Sequence, residues 1–156
     1  MFLLVSPDRW RQVKVWIPPV AWAALIFVFS EQTFSGANTS RILQPLLRYL
    51  LPPISASDIE IVHLLLRKVG HFVEYFILAA LITRALCQPT PHDVSARHLA
   101  LAVALAALYA ISDEWHQALV PNRSASGVDV LIDVFGAICG IFWFRLRNPG
   151  KRRAGR

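Results

Sequence analysis

The chain has 156 residues, is 55% hydrophobic and carries a formal charge of +6. That length suits one domain, and the apolar residues come in blocks, which excludes an ordinary soluble domain and points to an integral membrane protein. Six of the sixteen basic residues fall in the last twelve positions with no nucleic-acid motif beside them, so the balance reads as a basic tail drawn to anionic lipid, not as a nucleic-acid surface.

Residues 1–14 read as an amphipathic lead, with Trp10, Trp16, Arg11 and Lys14 as interface anchors. Asp8, Arg9, Arg11 and Lys14 precede the apolar run, a pattern unlike a signal peptide. The first span is expected over Val15–Ser30, with Pro18 and Pro19 tolerated in its first turn. It is short for a hydrocarbon core of about 30 Å, which implies local thinning or a longer interfacial start. Residues 33–57 should not be empty loop. Asn38, Thr39 and Ser40 are candidate caps, and Ile42, Leu43, Leu46, Leu47, Leu50 and Leu51 share one helical face. A short interfacial helix over 39–51, stopped by Pro52-Pro53, is expected.

Ser57-x-x-Glu60 matches a capping box and opens a helix over about Asp58–Leu86, long enough to stand above the membrane. One stripe of it carries Glu60, His63, Arg67, His71, Glu74 and Leu78. A polar connection (87–97) leads to a third span over His98–Val120, which Pro121 stops, and Gly127–Phe144 forms the fourth. Ser126, Asp129, Asp133, Gly136 and Gly140 share a face, and Gly136-x-x-x-Gly140 admits a second helix at close range. Residues 145–156 form a basic cytoplasmic tail. Cys87 and Cys139 make neither a disulfide framework nor a metal motif.

Lysine and arginine set the expected orientation. With both termini inside, the inner segments hold Arg9, Arg11, Lys14, Arg84, Arg97 and six tail residues, eleven in all. The outer segments hold five: Arg41, Arg48, Arg67, Lys68 and Arg123. The polar motifs Ser30–Gln32, Lys68–Glu74, Asp113–Gln117 and Arg123–Asp133 then converge on the non-cytoplasmic side. Asp113 and Glu114 fall about 10 Å below the outer end of their span. Asp133 lies at a similar depth, with Asp129 one turn shallower, and His71 and Glu74 lie one to two turns below Arg67. These depths match only if the second, third and fourth spans are neighbours.

These elements resemble the VanZ-like family of bacterial membrane proteins. The matching residues are Ser30 and Gln32, Lys68-x-Gly70-His71-Phe72-x-x-Tyr75-x-x-Leu78 and Asp113-Glu114-x-His116-Gln117. They continue with Pro121-x-Arg123-x-x-Ser126-x-x-Asp129 and Gly136-x-x-x-Gly140, so that the resemblance covers about 15–144. The family pattern often has Asn where this chain has Asp133. The resemblance implies a cell-envelope role in the bacterial cytoplasmic membrane. The family's namesake is linked to resistance to the glycopeptide teicoplanin, which is not carried over to this chain.

The candidate ligand-binding residues are Gln32, Lys68, His71, Glu74, Tyr75, Asp113, Glu114, Gln117, Arg123, Ser126, Asp129 and Asp133. Asp113, Glu114, Asp129 and Asp133 would repel if all were ionised, so cations sit among them or some hold protons; Lys68, His71 and Arg123 are the internal cations considered. Arg123 suits a phosphate or a carboxylate, and a salt bridge to Asp129 or Glu114 is the structural alternative. No HExxH-like spacing announces a metal, and no cofactor follows from the residues. Two functions stay open. One is an all-α, four-span bundle whose outer pocket binds the head group of an envelope lipid or lipid-linked precursor. The other is a membrane-embedded enzyme on such a lipid, with His71, Glu114 and Asp113 as acid–base candidates, unassisted or assisted by a metal on His71, His116 and the acids.

Overall fold

The computed structural model describes residues 7–31, 36–88, 94–121 and 125–149. Among them the regular structure is entirely helical: α1 (Pro7–Lys14), α2 (Ile17–Ser30), α3 (Gly36–Leu50), α4 (Ala56–Leu86), α5 (Ala96–Leu119) and α6 (Gly127–Arg147). Four segments are long and apolar enough to cross a membrane: Trp10–Ser30, Ala56–Leu86, Ala96–Leu119 and Gly127–Arg147. The first spans the α1–α2 junction. Pro18 and Pro19 have no amide hydrogen to return to the preceding turn, so the helix breaks at Val15-Trp16 and restarts.

Local chemistry sets the helix starts. The capping box opening α4 is Ser55 with Asp58, two residues before the expected Ser57 and Glu60. The shorter Asp side chain reaches the Ser55 amide at 3.3 Å, and the Asp58 amide donates to Ser55 Oγ at 3.1 Å. Ser95 caps α5 and Ser126 caps α6, each accepting from the amide three residues on. α3 begins at Gly36, so Thr39 and Ser40 lie inside it and do not cap it. Its Ser40, Leu43 and Leu47 are half-buried, while Ile42, Leu46, Tyr49 and Leu50 face outward. α6 continues to Arg147, so Arg145 and Arg147 close a helix; residues 150–156 lie outside the described residues.

α4 is the hub, touching α2, α3, α5 and α6. The core joins Ile26 of α2, Tyr75, Leu78, Ala79 and Ile82 of α4, Ala102, Ala106 and Ala110 of α5, and Ala137 and Ile141 of α6. The three alanines recur every fourth residue, so α5 shows the bundle a smooth strip. The tightest approach is α6 on α4. A Cβ built on Gly136 would lie 2.4 Å from the Phe72 carbonyl oxygen, and one on Gly140 would lie 2.1 Å from that of Phe76. Glycine is required at both places because backbone meets backbone there. Two hydrogen bonds tie in α2, from Trp22 Nε1 to the Glu74 carbonyl at 2.9 Å and from the Tyr109 hydroxyl to the Ala23 carbonyl at 2.6 Å. Leu64, Leu65, Val69, Leu108, Ile111, Leu131, Phe135 and Phe142 face outward, an apolar exterior matched to lipid.

Gly140→Ala should cost about 1–3 kcal/mol of bundle stability, the usual penalty for overpacking. Gly70 provides the control, since a Cβ there meets nothing within 4 Å. Thermal unfolding of the purified variants should show a lowered Tm for Gly140→Ala and an unchanged or raised one for Gly70→Ala. Equal melting temperatures would show that the α4–α6 approach is not limiting.

Candidate functional site

Four-residue spacing on two helices builds the centre of the site. Arg67 and His71 stack one turn apart on α4, with Lys68 beside them, while Asp129 and Asp133 stack one turn apart on α6. The close helix approach presses these faces together. Asp129, wholly buried, forms ion pairs with Arg67 and with Lys68, whose Nζ lies 2.6 Å from Oδ1. His71 bridges both acids, with Nδ1 3.1 Å from Asp133 Oδ1 and Nε2 4.0 Å from Asp129 Oδ2. Asp133 is also wholly buried.

α5 contributes Asp113, Glu114 and Gln117. Asp113 accepts from Ser30 Oγ at 2.6 Å and from Gln117 Nε2 at 3.0 Å, and Gln117 Nε2 also lies 3.3 Å from Ser30 Oγ. This triad fastens the end of α2 to α5. Glu114 turns towards α6, where its Oε2 accepts from the Ser126 amide at 2.6 Å. Ser126 therefore caps α6 with its side chain and holds Glu114 with its backbone. One ligand atom each from His71, Glu114 and Asp133 lies within 4.8 Å of the others.

Beside this network lies a cavity of about 270 Å³ between α2, α3, α4 and α5. Its polar wall includes Ser30, His63, Arg67, His71, Glu74 and Gln117. Phe29, Leu43 and Leu66 supply its apolar part, and Gly70 leaves it open on the α4 side. Two buried nitrogens on the polar wall, Arg67 Nε and His63 Nε2, have no hydrogen-bond partner among the described residues.

Of the sequence-derived candidates, the fold brings His71, Glu74 and Gln117 to the cavity. Asp113 lies behind the cavity wall, bonded to Ser30 and Gln117, while Glu114, Asp129, Asp133 and Ser126 lie on the α5–α6 side. Lys68 is committed to Asp129. Tyr75 is wholly buried in the core, its ring 6.2 Å from that of Tyr109. Gln32 and Arg123 lie outside the described residues.

Sequence reasoning missed three contributors. Arg67, set on the polar stripe but not counted among the internal cations, is a principal partner of Asp129; its four-residue spacing from His71 was the available signal. His63, one turn further up the stripe, reaches the cavity, and Ser30 bonds Asp113. His116 instead stacks on Phe27, with ring centroids 4.5 Å apart, and lies 3.3 Å from Glu31.

Comparison with known proteins adds one finding. Neither the curated proteins nor the solved structures contain a significant match to the chain. A family model described as VanZ/LLP1 matches residues 15–148, from the α1–α2 junction to the end of α6. With nearly every described element inside that match, the chain belongs to the VanZ family of membrane proteins.

Proposed function

We propose that the chain binds the polar head of an envelope lipid, or of a lipid-linked precursor, in the cavity between α2, α3, α4 and α5. The observation that carries this reading is the character of the cavity wall. Arg67 and His63, each with a buried nitrogen that has no partner among the described residues, line one side, and Phe29, Leu43 and Leu66 line the other. A guanidinium and an imidazole against an apolar surface suit an anionic head group with the first carbons of its chains. Asp129 holds the far end of the Arg67 guanidinium and so fixes its plane, while Nε is buried with no partner among the described residues.

In this reading α3 is an interfacial helix. Its half-buried Leu43 and Leu47 turn to the bundle, and its exposed Ile42, Leu46 and Leu50 turn to lipid. The cavity opens on the non-cytoplasmic side of a bacterial cytoplasmic membrane, with both termini inside, as the distribution of lysine and arginine favours. Gln32 and Arg123, which lie outside the described residues, are proposed from the sequence as further head-group contacts.

Three measurements test the proposal. In a variant with Cys87 and Cys139 replaced, single cysteines at Ser35 and Ala125 should react with an impermeant maleimide added outside spheroplasts. Labelling solely from the cytoplasmic side would overturn the orientation. Gly70→Leu places a side chain in the cavity where a Cβ meets nothing within 4 Å. It should keep or raise the Tm, since replacing a helical glycine gains up to about 1 kcal/mol. Lipid-resolved mass spectrometry should show co-purifying anionic lipid lowered about tenfold, equivalent to about 1.4 kcal/mol; undiminished lipid would remove the cavity as the head-group site. Arg123→Gln should lower bound lipid at unchanged abundance and Tm, and full lipid binding in that variant would remove Arg123 from the site.

A further inference from the structure

We infer that His71, Glu114 and Asp133 form a site for one divalent transition-metal ion where α4, α5 and α6 meet. They are 6%, 4% and 0% exposed, and one ligand atom of each lies within 4.8 Å of the others. Proximity alone would not make a site, but the bonding of the carboxylates does. Each is held by one oxygen and bare at the other. Glu114 Oε2 takes the Ser126 amide and Asp133 Oδ1 takes His71. Glu114 Oε1 and Asp133 Oδ2 are buried with no hydrogen-bond partner among the described residues. A buried carboxylate oxygen without a donor costs about 1–3 kcal/mol or more, and two beside one imidazole make a ready donor set for a cation.

The formal charges agree. Asp113, Glu114, Asp129 and Asp133 are buried together, while Arg67 and Lys68 are the cations bonded to them among the described residues. With His71 neutral, as a metal ligand must be, and all four acids ionised, a divalent ion closes that difference of two charges. One imidazole with two carboxylates suits zinc, manganese or ferrous iron, and not calcium, which takes about 6–8 oxygen ligands. Metal–ligand distances of about 2.0–2.2 Å at tetrahedral angles set ligand atoms about 3.3–3.6 Å apart, so a pair at the 4.8 Å limit would close by about 1.2–1.5 Å as the side chains turn onto an ion. The Ser126 amide holds Glu114 by one oxygen, so that carboxylate is oriented from behind. Glu114 also lines a groove between α5 and α6 with Trp115, Ala118, Ser126 and Val130. The inference holds whether or not the neighbouring cavity takes a lipid.

The test uses the full chain in nanodiscs, stripped with EDTA, exposed to Zn2+ or Mn2+, desalted, and assayed for metal and Tm. One bound ion per chain and a raised Tm are expected. Glu114→Gln and Asp133→Asn should each weaken binding by about 100-fold or more, beyond what losing an orienting group alone costs. His98→Gln, outside the cluster, should bind as the parent does. Asn is isosteric with Asp and still accepts from His71, so Asp133→Asn keeps that contact. Should either variant fail to fold, pulsed electron paramagnetic resonance of the Mn2+-loaded parent decides, because an imidazole nitrogen coupling is expected. No uptake of either ion, parent-like binding in folded Glu114→Gln and Asp133→Asn, or no nitrogen coupling would each overturn the site.

Discussion

The α4–α6 approach at Gly136 and Gly140 is the constraint on which the rest depends. Each glycine lies against a backbone carbonyl of α4, so the two helices meet with no side chain between them. In lipid, where burying apolar surface gives little driving force between helices, such close contact is itself a main source of cohesion. The approach also positions charge. Asp133 and Asp129 lie one and two turns N-terminal to Gly136 on α6, and Lys68 and His71 lie just N-terminal to Phe72 on α4. Once the glycines dock at Phe72 and Phe76, the acids must face Arg67, Lys68 and His71. A wider crossing would strand both sets of charges away from water.

Stability alone does not account for this polar interior. Interhelical hydrogen bonds in membranes average about 0.6 kcal/mol. Placing an ionisable group in the middle of a span costs at least about 2.5 kcal/mol by insertion scales. Ser30, Asp113 and Gln117 fit a structural account, because each is bonded to the others and together they join α2 to α5, leaving only the neutral Gln117 Oε1 without a partner among the described residues. The carboxylates of Glu114 and Asp133 do not fit it, because each keeps one oxygen bare. Nor does the cavity wall at Arg67 and His63. The bundle thus has polar groups that fasten helices and others that its own packing leaves unsatisfied, and function is sought among the second kind.

Much of this was legible in the sequence because it is carried by periodicity. The apolar blocks marked the four spans, the four-residue spacing marked the polar stripe of α4, and Gly136-x-x-x-Gly140 marked a close approach. Features set by competition between neighbours were not legible. Ser55 and Ser57 both precede an acid three residues on, and only the geometry of the turn decides for Ser55 and Asp58. Arg67 sits where a span begins and so reads as a surface cation, although the length of its side chain lets it reach Asp129. The grouping of His71, Glu114 and Asp133 has no sequence signature, because each comes from a different helix. Short-range motifs such as HExxH announce metal sites only when one element supplies several ligands.

His71 links the two halves of the site. It lines the cavity, and its Nδ1 bonds Asp133 in the cluster behind. Glu114 and Asp113, the other acid–base candidates, do not line the cavity and are each 4% exposed. A head group in the cavity would therefore meet His71 before any carboxylate of the cluster. This favours binding over direct proton transfer from Glu114 or Asp113, which would need the α4–α5 contact to open first. It also gives His71 a distinct part, because a charge arriving on its cavity side would be felt at Asp133 through one hydrogen bond. Screening is weak where water is excluded, so a charge placed in the cavity would act on the carboxylate cluster through His71.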